Sequence, residues 1–410
     1  MTKFIFWGLT ASPYQLKMQS LLDFAGHDWE RWPAQAGRVA AVSMAVRLDV
    51  AKRRRAIKRY PEMSHELDEY PSVPFYTLDE RTFYYDSSSL ACHLDQHPQR
   101  YSQLLIPQNP KMAFIAQLID EAFDEFGLYM VHHMRWVGST RTTPMGEMTA
   151  REFSKLLPPG LTSLMAGHLH RRQTRRCPYL FSVAPAGFDA GVSRARTPPS
   201  RAHFPPTHAL LDKAWRTYLA AMEQVFSEQP FLLGARFTLA DASAYGQLGM
   251  NLVDPEAVAL MEELAPRTYR WLCAIRDGKH AFQSGNLPGT PPGNQLEGPA
   301  LTSALKPLLQ IISQTFIPLM TQNEDAYLNA VAAGETQFNE VAFNRNRALY
   351  NGQLLDYPFR AVVKTFQVRV WRALKDSWRA LDQADRGSLE REYLPDAAAM
   401  FGGSGVLSGL

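Results

Sequence analysis

The chain opens on a short apolar, β-prone run at residues 3–8, which reads as a strand. Behind it the period changes, and Leu16, Met18, Leu21, Leu22 and Ala25 fall at helical spacing. Ser12 followed by Pro13 supplies a helix start, with Ser at the N-cap, and Gly26 a stop. Residues 27–32 read as a second strand, so the order is β-α-β, which favours a right-handed crossover and a parallel pair. Residues 73–78 and 82–85 read as two more strands, a hairpin joined by Asp79-Glu80-Arg81. Asp86-Ser87-Ser88-Ser89 then caps a helix running to about residue 97. The pattern predicts a small mixed sheet with helices against it.

Between these elements and after them the pattern is helical or irregular. Residues 34–70 look inserted, with a helix expected over 40–59 that carries the basic run Lys52-Arg53-Arg54-Arg55. That run reads as a solvated helix face in preference to an anion contact. Residues 111–136 place Phe114, Ile115, Leu118, Ile119, Ala122, Phe123 and Phe126 at helical spacing. Residues 138–206 are irregular and rich in Arg, Pro and Gly, with short helices expected over 149–157 and 161–172. Within them 171–176 is locally basic and reads as flexible surface, an acidic partner being the alternative. Helical periodicity returns at 208–227, 239–250 and 256–275. Residues 284–299, rich in Gly and Pro, read as a linker. Residues 301–394 read as helical, with Trp371, Leu374, Trp378 and Leu381 along one face, and the tail at 402–410 as disordered. The expected units are therefore 1–97, 98–283 and 300–400.

Composition narrows the function classes. A chain of 410 residues is too long for one ordinary core. Its 43 Lys and Arg against 40 Asp and Glu leave a net charge of +3, no global reason to expect nucleic acid. No run of roughly 18 apolar residues suggests a membrane span. The N-terminus lacks a small-residue cleavage site, so it does not read as a signal peptide. Cys92, Cys177 and Cys273 form no CxxC or zinc spacing, which fits a reducing cytoplasm, and Cys92 reads as a buried core residue. His132 and His133 are adjacent and point apart on a helix, so no metal site is expected. No phosphate loop, zincin or nucleophile-elbow motif is present.

Four stretches carry a resemblance. They are Thr10-Ala11-Ser12-Pro13-Tyr14 at the first strand-to-helix turn; Val73-Pro74 opening the third strand; Tyr85-Asp86-Ser87-Ser88-Ser89-Leu90; and 231–242, where Thr238 and Asp241 form a capping box. In this order and spacing they resemble the glutathione transferase family. The resemblance implies an α/β plus all-α fold: a thioredoxin-like N-terminal domain, a transferase-type helical domain and, beyond the family pattern, extra C-terminal helices. It implies glutathione as cosubstrate, with Ser12 facing its sulfur, Thr10 as runner-up and Tyr14 third; a plain helix cap is the competing reading of Ser12. Val73 and a cis Pro74 would hold the cysteinyl backbone. Asp86 would pair with the γ-glutamyl ammonium and Ser87 would hold its carboxylate. By position Tyr14, Tyr129, Met130, His133, Met134 and Trp136 would line the pocket for a small hydrophobic electrophile, with core packing as the alternative.

A serine rather than a cysteine at the turn points to conjugation, elimination or isomerisation instead of thiol reduction. The family also implies a homodimer. Two alternatives stand beside the transferase: a glutathione-dependent isomerase or ether-cleaving enzyme, and a non-catalytic scaffold that binds partners through its insertions.

Overall fold

The computed structural model describes residues 3–60, 73–97, 105–158, 160–192, 199–279 and 301–402. The expected linker at 284–299 and most of the expected tail lie outside the described residues, as does much of the end of the first insertion.

Strand β1 (Phe4–Trp7) pairs in parallel with β2 (Trp29–Trp32), joined through helix α1 (Pro13–Ala25). After α2 (Arg38–Arg53) comes β3 (Phe75–Thr77), antiparallel to β1, giving the order β2-β1-β3. Gly26 closes α1 in the left-handed conformation at φ 76°, where a residue with a Cβ is strained. The helix expected over 40–59 ends at Arg53, and Arg55 turns the chain at φ 51°. Arg53, Arg54 and Arg55 are exposed, in keeping with a solvated face. The second strand of the expected hairpin shrinks to a single bridge. Tyr84 exchanges backbone hydrogen bonds with Tyr76 at 2.8 and 2.9 Å, while its neighbours Phe83 and Tyr85 bond to Lys58 instead.

Helix α3 (Ser87–Gln96) completes this α/β part, and the chain then turns helical. Helix α4 (Pro110–Glu121) runs through a π-helical stretch, Ala122–Gly127, into α5 (Leu128–His133) and a second π-helical stretch, Met134–Gly138. The expected single helix over 111–136 is thus one rod with its side-chain phase shifted twice. The insertion supplies α6 (Met145–Glu152) and α7 (Thr162–Arg176). Next come α8 (His208–Glu228), α9 (Leu239–Gly249), α10 (Pro255–Leu264) and α11 (Pro266–Arg276); Pro266 splits the helix expected over 256–275. Asp241 is fully buried at the start of α9, accepting from the Thr238 amide at 2.9 Å and the Leu232 amide at 2.8 Å.

The last third comprises α12 (Lys306–Gln314), α13 (Phe316–Ala332), α14 (Glu340–Asn344), strands β4 (Leu349–Leu354) and β5 (Tyr357–Val362), α15 (Thr365–Ala380), α16 (Gln383–Glu392) and α17 (Ala397–Gly402). The hairpin corrects the all-helical expectation. Leu355 and Asp356 turn it with φ of 48° and 68°, a turn normally signalled by Asn-Gly and here carried by residues that give no such cue.

One core cluster contains Phe4, Leu22, Phe114, Trp215, Trp271, Leu308, Trp371, Trp378 and Phe401. The C-terminal segment therefore packs as further helices on a shared core. Trp371, Leu374, Trp378 and Leu381 are buried there, the face the periodicity predicts. Helix α15 lies against α4, which brings its N-terminal half to the edge of the α/β part.

Candidate active site

A cleft of about 180 Å³ opens where α1, α3, α4 and α15 meet. Tyr14 and Met18 come from α1, Pro74 from the residue before β3, Tyr85 from the segment leading into α3, and Asp86, Ser87 and Ser88 from the start of α3. Glu121, Asp124 and Glu125 face them from the α4 rod, and Phe366 and Arg369 close the cleft from α15.

The floor is a buried ionic network. Lys17 is fully buried, and its ammonium lies 2.5 Å from Asp120, 2.7 Å from Asp124 and 2.8 Å from the Ser88 hydroxyl. Burial alone would lower its pKa, but the two carboxylates outweigh burial and raise it, so Lys17 stays charged. Ser88 donates to Asp120 at 2.7 Å and Ser243 to Asp124 at 2.7 Å, so both carboxylates are held by more than the lysine. Tyr14 donates to the Asp124 carbonyl at 2.8 Å.

The Val73–Pro74 bond is cis, and Pro74 lines the cleft beside the start of α3. Asp86 caps α3, accepting from the Ser89 amide at 3.1 Å. It adopts φ 76°, an uncommon conformation for a residue with a Cβ. Its carboxylate also meets Arg59 at 2.5 Å and Arg369 at 3.3 Å. Burial pushes the Asp86 pKa up, yet the two guanidinium groups win and hold it below the usual value. Ser87 is buried, its hydroxyl 3.5 Å from Asp124. Opposite, burial and the neighbouring carboxylates drive the Glu121 pKa well up, while burial and Asp124 push Glu125 to about 8.

Of the residues expected at the first turn, Tyr14 lines this cleft while Thr10 and Ser12 sit apart from it. Thr10 gives both its amide, at 3.0 Å, and its hydroxyl to Glu152 at the end of α6. Ser12 stands at the head of α1 with an extended backbone, but its hydroxyl does not cap the helix, contrary to the plain-cap reading. It is buried and does not line the cleft. Of the expected pocket residues only Tyr14 lines the cleft. Tyr129, Met130 and Met134 are buried in the main core, and Trp136 belongs to a smaller cluster with Cys177. His133 is buried against the Ser182 hydroxyl at 2.6 Å, with burial lowering its pKa to about 3. These residues are expected by their position along the rod, and the packing here is the core alternative that stands beside that expectation. Glu121, Glu125, Phe366 and Arg369 were not foreseen. Glu121 and Glu125 stand beside Asp120 and Asp124, two adjacent carboxylate pairs four positions apart within a mostly apolar helix, a signal that was legible; nothing local marks Arg369. Cys92 is half-buried rather than core.

Residues 205–272, spanning most of α8 through α11 and including the Thr238–Asp241 box, match the sequence model for the glutathione S-transferase C-terminal domain. Over these residues the chain is similar to a glutathione S-transferase C-terminal domain. Among solved structures it is similar to a glutathione S-transferase from Pseudomonas fluorescens, at 14% identity over 68% of this chain and 98% of that one, TM-score 0.32. It is also similar to one from Xanthobacter autotrophicus, at 16% identity over 70% and 97%, TM-score 0.31. A third is glutathione transferase E6 from Drosophila melanogaster, at 15% identity over 68% and 99%, TM-score 0.29. Likenesses this loose carry no residue roles across. No curated protein sequence matches the chain. With its α/β part ahead of this domain, the chain combines a thioredoxin-like unit with a transferase-type helical unit. Among the described residues no helix is long and apolar enough to cross a membrane, and no group of side chains has metal-binding geometry.

Proposed function

We propose that the cleft binds glutathione and that the protein is a glutathione-dependent transferase acting on a small hydrophobic electrophile. The observation that carries this reading is the meeting of Pro74 with the Asp86–Ser87 helix start in one cleft, on a chain with this helical domain. The residues present fit the tripeptide. The Val73 main chain would pair with the cysteinyl residue, and the α3 N-terminus with the Ser87 hydroxyl would take the γ-glutamyl carboxylate. Asp86 is already engaged by Arg59 and Arg369, so its work is to hold those guanidinium groups beside the carboxylate. The ammonium then falls to the acidic wall opposite, lined by Glu121 and Asp124, where its positive charge would favour the ionised form of Glu121.

A free thiol titrates near about 8.5. With the cysteinyl arm extended past Pro74 toward the head of α1, the Ser12 hydroxyl would donate to the sulfur and favour the thiolate. Attack forms the sulfur–carbon bond, and the leaving group departs with its electron pair. The family likeness further suggests a cytoplasmic homodimer. The test is the thiolate absorbance of bound glutathione against pH. Ser12→Ala should keep binding and shift the thiolate midpoint upward; an unchanged midpoint removes Ser12 from the mechanism.

A second reading has its own support. Thr10 is tied to Glu152, and Asp86 to Arg59 and Arg369, so the chain satisfies from within two groups that a ligand would otherwise meet. A non-catalytic scaffold on this fold would look the same, and it would not bind glutathione.

A further inference from the structure

The basic segment at 171–176 plays no part in the cleft. It forms the last turn of α7, where Arg172, Arg175 and Arg176 line a second cavity, of about 530 Å³. Pro178 and Arg201 extend this wall, and Glu340, Phe343 and Asn344 of α14 form the other. Four guanidinium groups thus face one carboxylate among the described lining residues.

Two of the four have evident structural work. Arg176 pairs with Glu340 at 3.0 Å. Arg201 donates to the Phe343 carbonyl at 2.8 Å and to Asn346 at 2.7 Å, and its guanidinium stacks 3.8 Å from the centre of the Phe343 ring. Those contacts tie the C-terminal segment to the insertion, beside the buried cluster of Val183, Phe204, Phe343 and Val362. The side chains of Arg172 and Arg175 make no hydrogen bond or ion pair with any described residue, yet both residues are half-buried at the cavity. Cations in the last turn of a helix complement its dipole, but that role is met equally by side chains splayed into water. Here they converge. Burial and the neighbouring Arg176 lower the Arg172 pKa, the mark of a positive charge that lacks enough counter-charge.

We propose that this cavity binds a small organic anion bearing one or two phosphate groups, held by Arg172 and Arg175 and flanked by Arg176 and Arg201. A phosphate group carries about −1.5 to −2 charge. Two of them balance the excess of arginines and one offsets at least half of it, where a single carboxylate does not. Guanidinium forks match phosphate oxygens in pairs, and Pro178 and Phe343 offer an apolar wall to the rest of the molecule. The site joins the insertion to the C-terminal segment, two parts that lie outside the matched helical domain.

Calorimetric titration of the full chain with inorganic pyrophosphate at fixed ionic strength tests this. One saturable site is expected, weakened at least tenfold by Arg172→Gln and by Arg175→Gln, neither of which removes a hydrogen bond that the fold uses. Glu340→Gln, which deletes the competing carboxylate, should tighten binding. Arg54→Gln, on the exposed run after α2, should leave it unchanged. The proposal is overturned if pyrophosphate gives no saturable binding at millimolar concentration. It is equally overturned if Arg54→Gln weakens binding as much as Arg175→Gln does, since any basic surface would then serve.

Discussion

Arg369 on α15 reaches across the cleft to Asp86, its guanidinium 3.3 Å from a carboxylate 283 positions earlier in the chain. The contact places the C-terminal segment at the wall of the cleft that is proposed to hold glutathione. Arg369 is half of that wall's positive charge, so Arg369→Ala should weaken glutathione binding about tenfold or more, the scale of a hydrogen bond between charged groups. Calorimetry measures it. Tighter binding in the variant would make Arg369 a competitor for Asp86 and not a ligand contact.

Among the described residues Lys17 is the one cation within bonding distance of both Asp120 and Asp124, and all three are buried. Removing one partner of such a group leaves charge buried without compensation, at a cost of about 3–5 kcal/mol. Lys17→Met should show that loss in urea unfolding. A loss under about 1 kcal/mol would mean that the serine hydroxyls suffice to hold the carboxylates.

Glu125 yields a pH prediction of defined sign. Its folded value of about 8 lies above its ordinary value of 4.5. The neutral form is the one the fold favours, so its contribution is present in full below about pH 4.5 and is lost by the time pH passes about 8. Glu125→Gln keeps a neutral side chain at every pH. Its stability advantage over wild type should therefore grow between pH 5 and 8, at on the order of 1 kcal/mol per pH unit. Parallel stability curves across that range would contradict the assignment.

The shared core makes a further claim. Trp371, Trp378 and Phe401 pack in one cluster with Phe114 and Trp215. A chain ending at residue 279 should expose that face and lose cooperative thermal unfolding, read by circular dichroism. A sharp transition in the shortened chain would show that the C-terminal helices are dispensable additions.

How much of this was legible beforehand depends on the range of the signal. The β1-α1-β2 order, the α9 capping box and the apolar face of α15 rest on local spacing, and the structure has all three. Asp86 and Ser87 were legible as a helix start, and they line the cleft. The misplaced residues fail for specific reasons. Met130, His133 and Met134 are expected by position alone, and position does not tell a pocket wall from the buried packing they show. The Leu355–Asp356 turn adopts positive φ without Gly or Asn. The partners of Thr10 and Asp86, Glu152 and Arg369, lie 142 and 283 positions away in segments outside the family pattern, and no local rule reaches them.

The most direct test of the central claim is glutathione binding by calorimetry with wild type and Ser87→Ala. The account predicts a single site in wild type and clearly weaker binding in Ser87→Ala, whose circular dichroism should match wild type. No heat of binding at millimolar glutathione would contradict it and leave the scaffold reading as the better one.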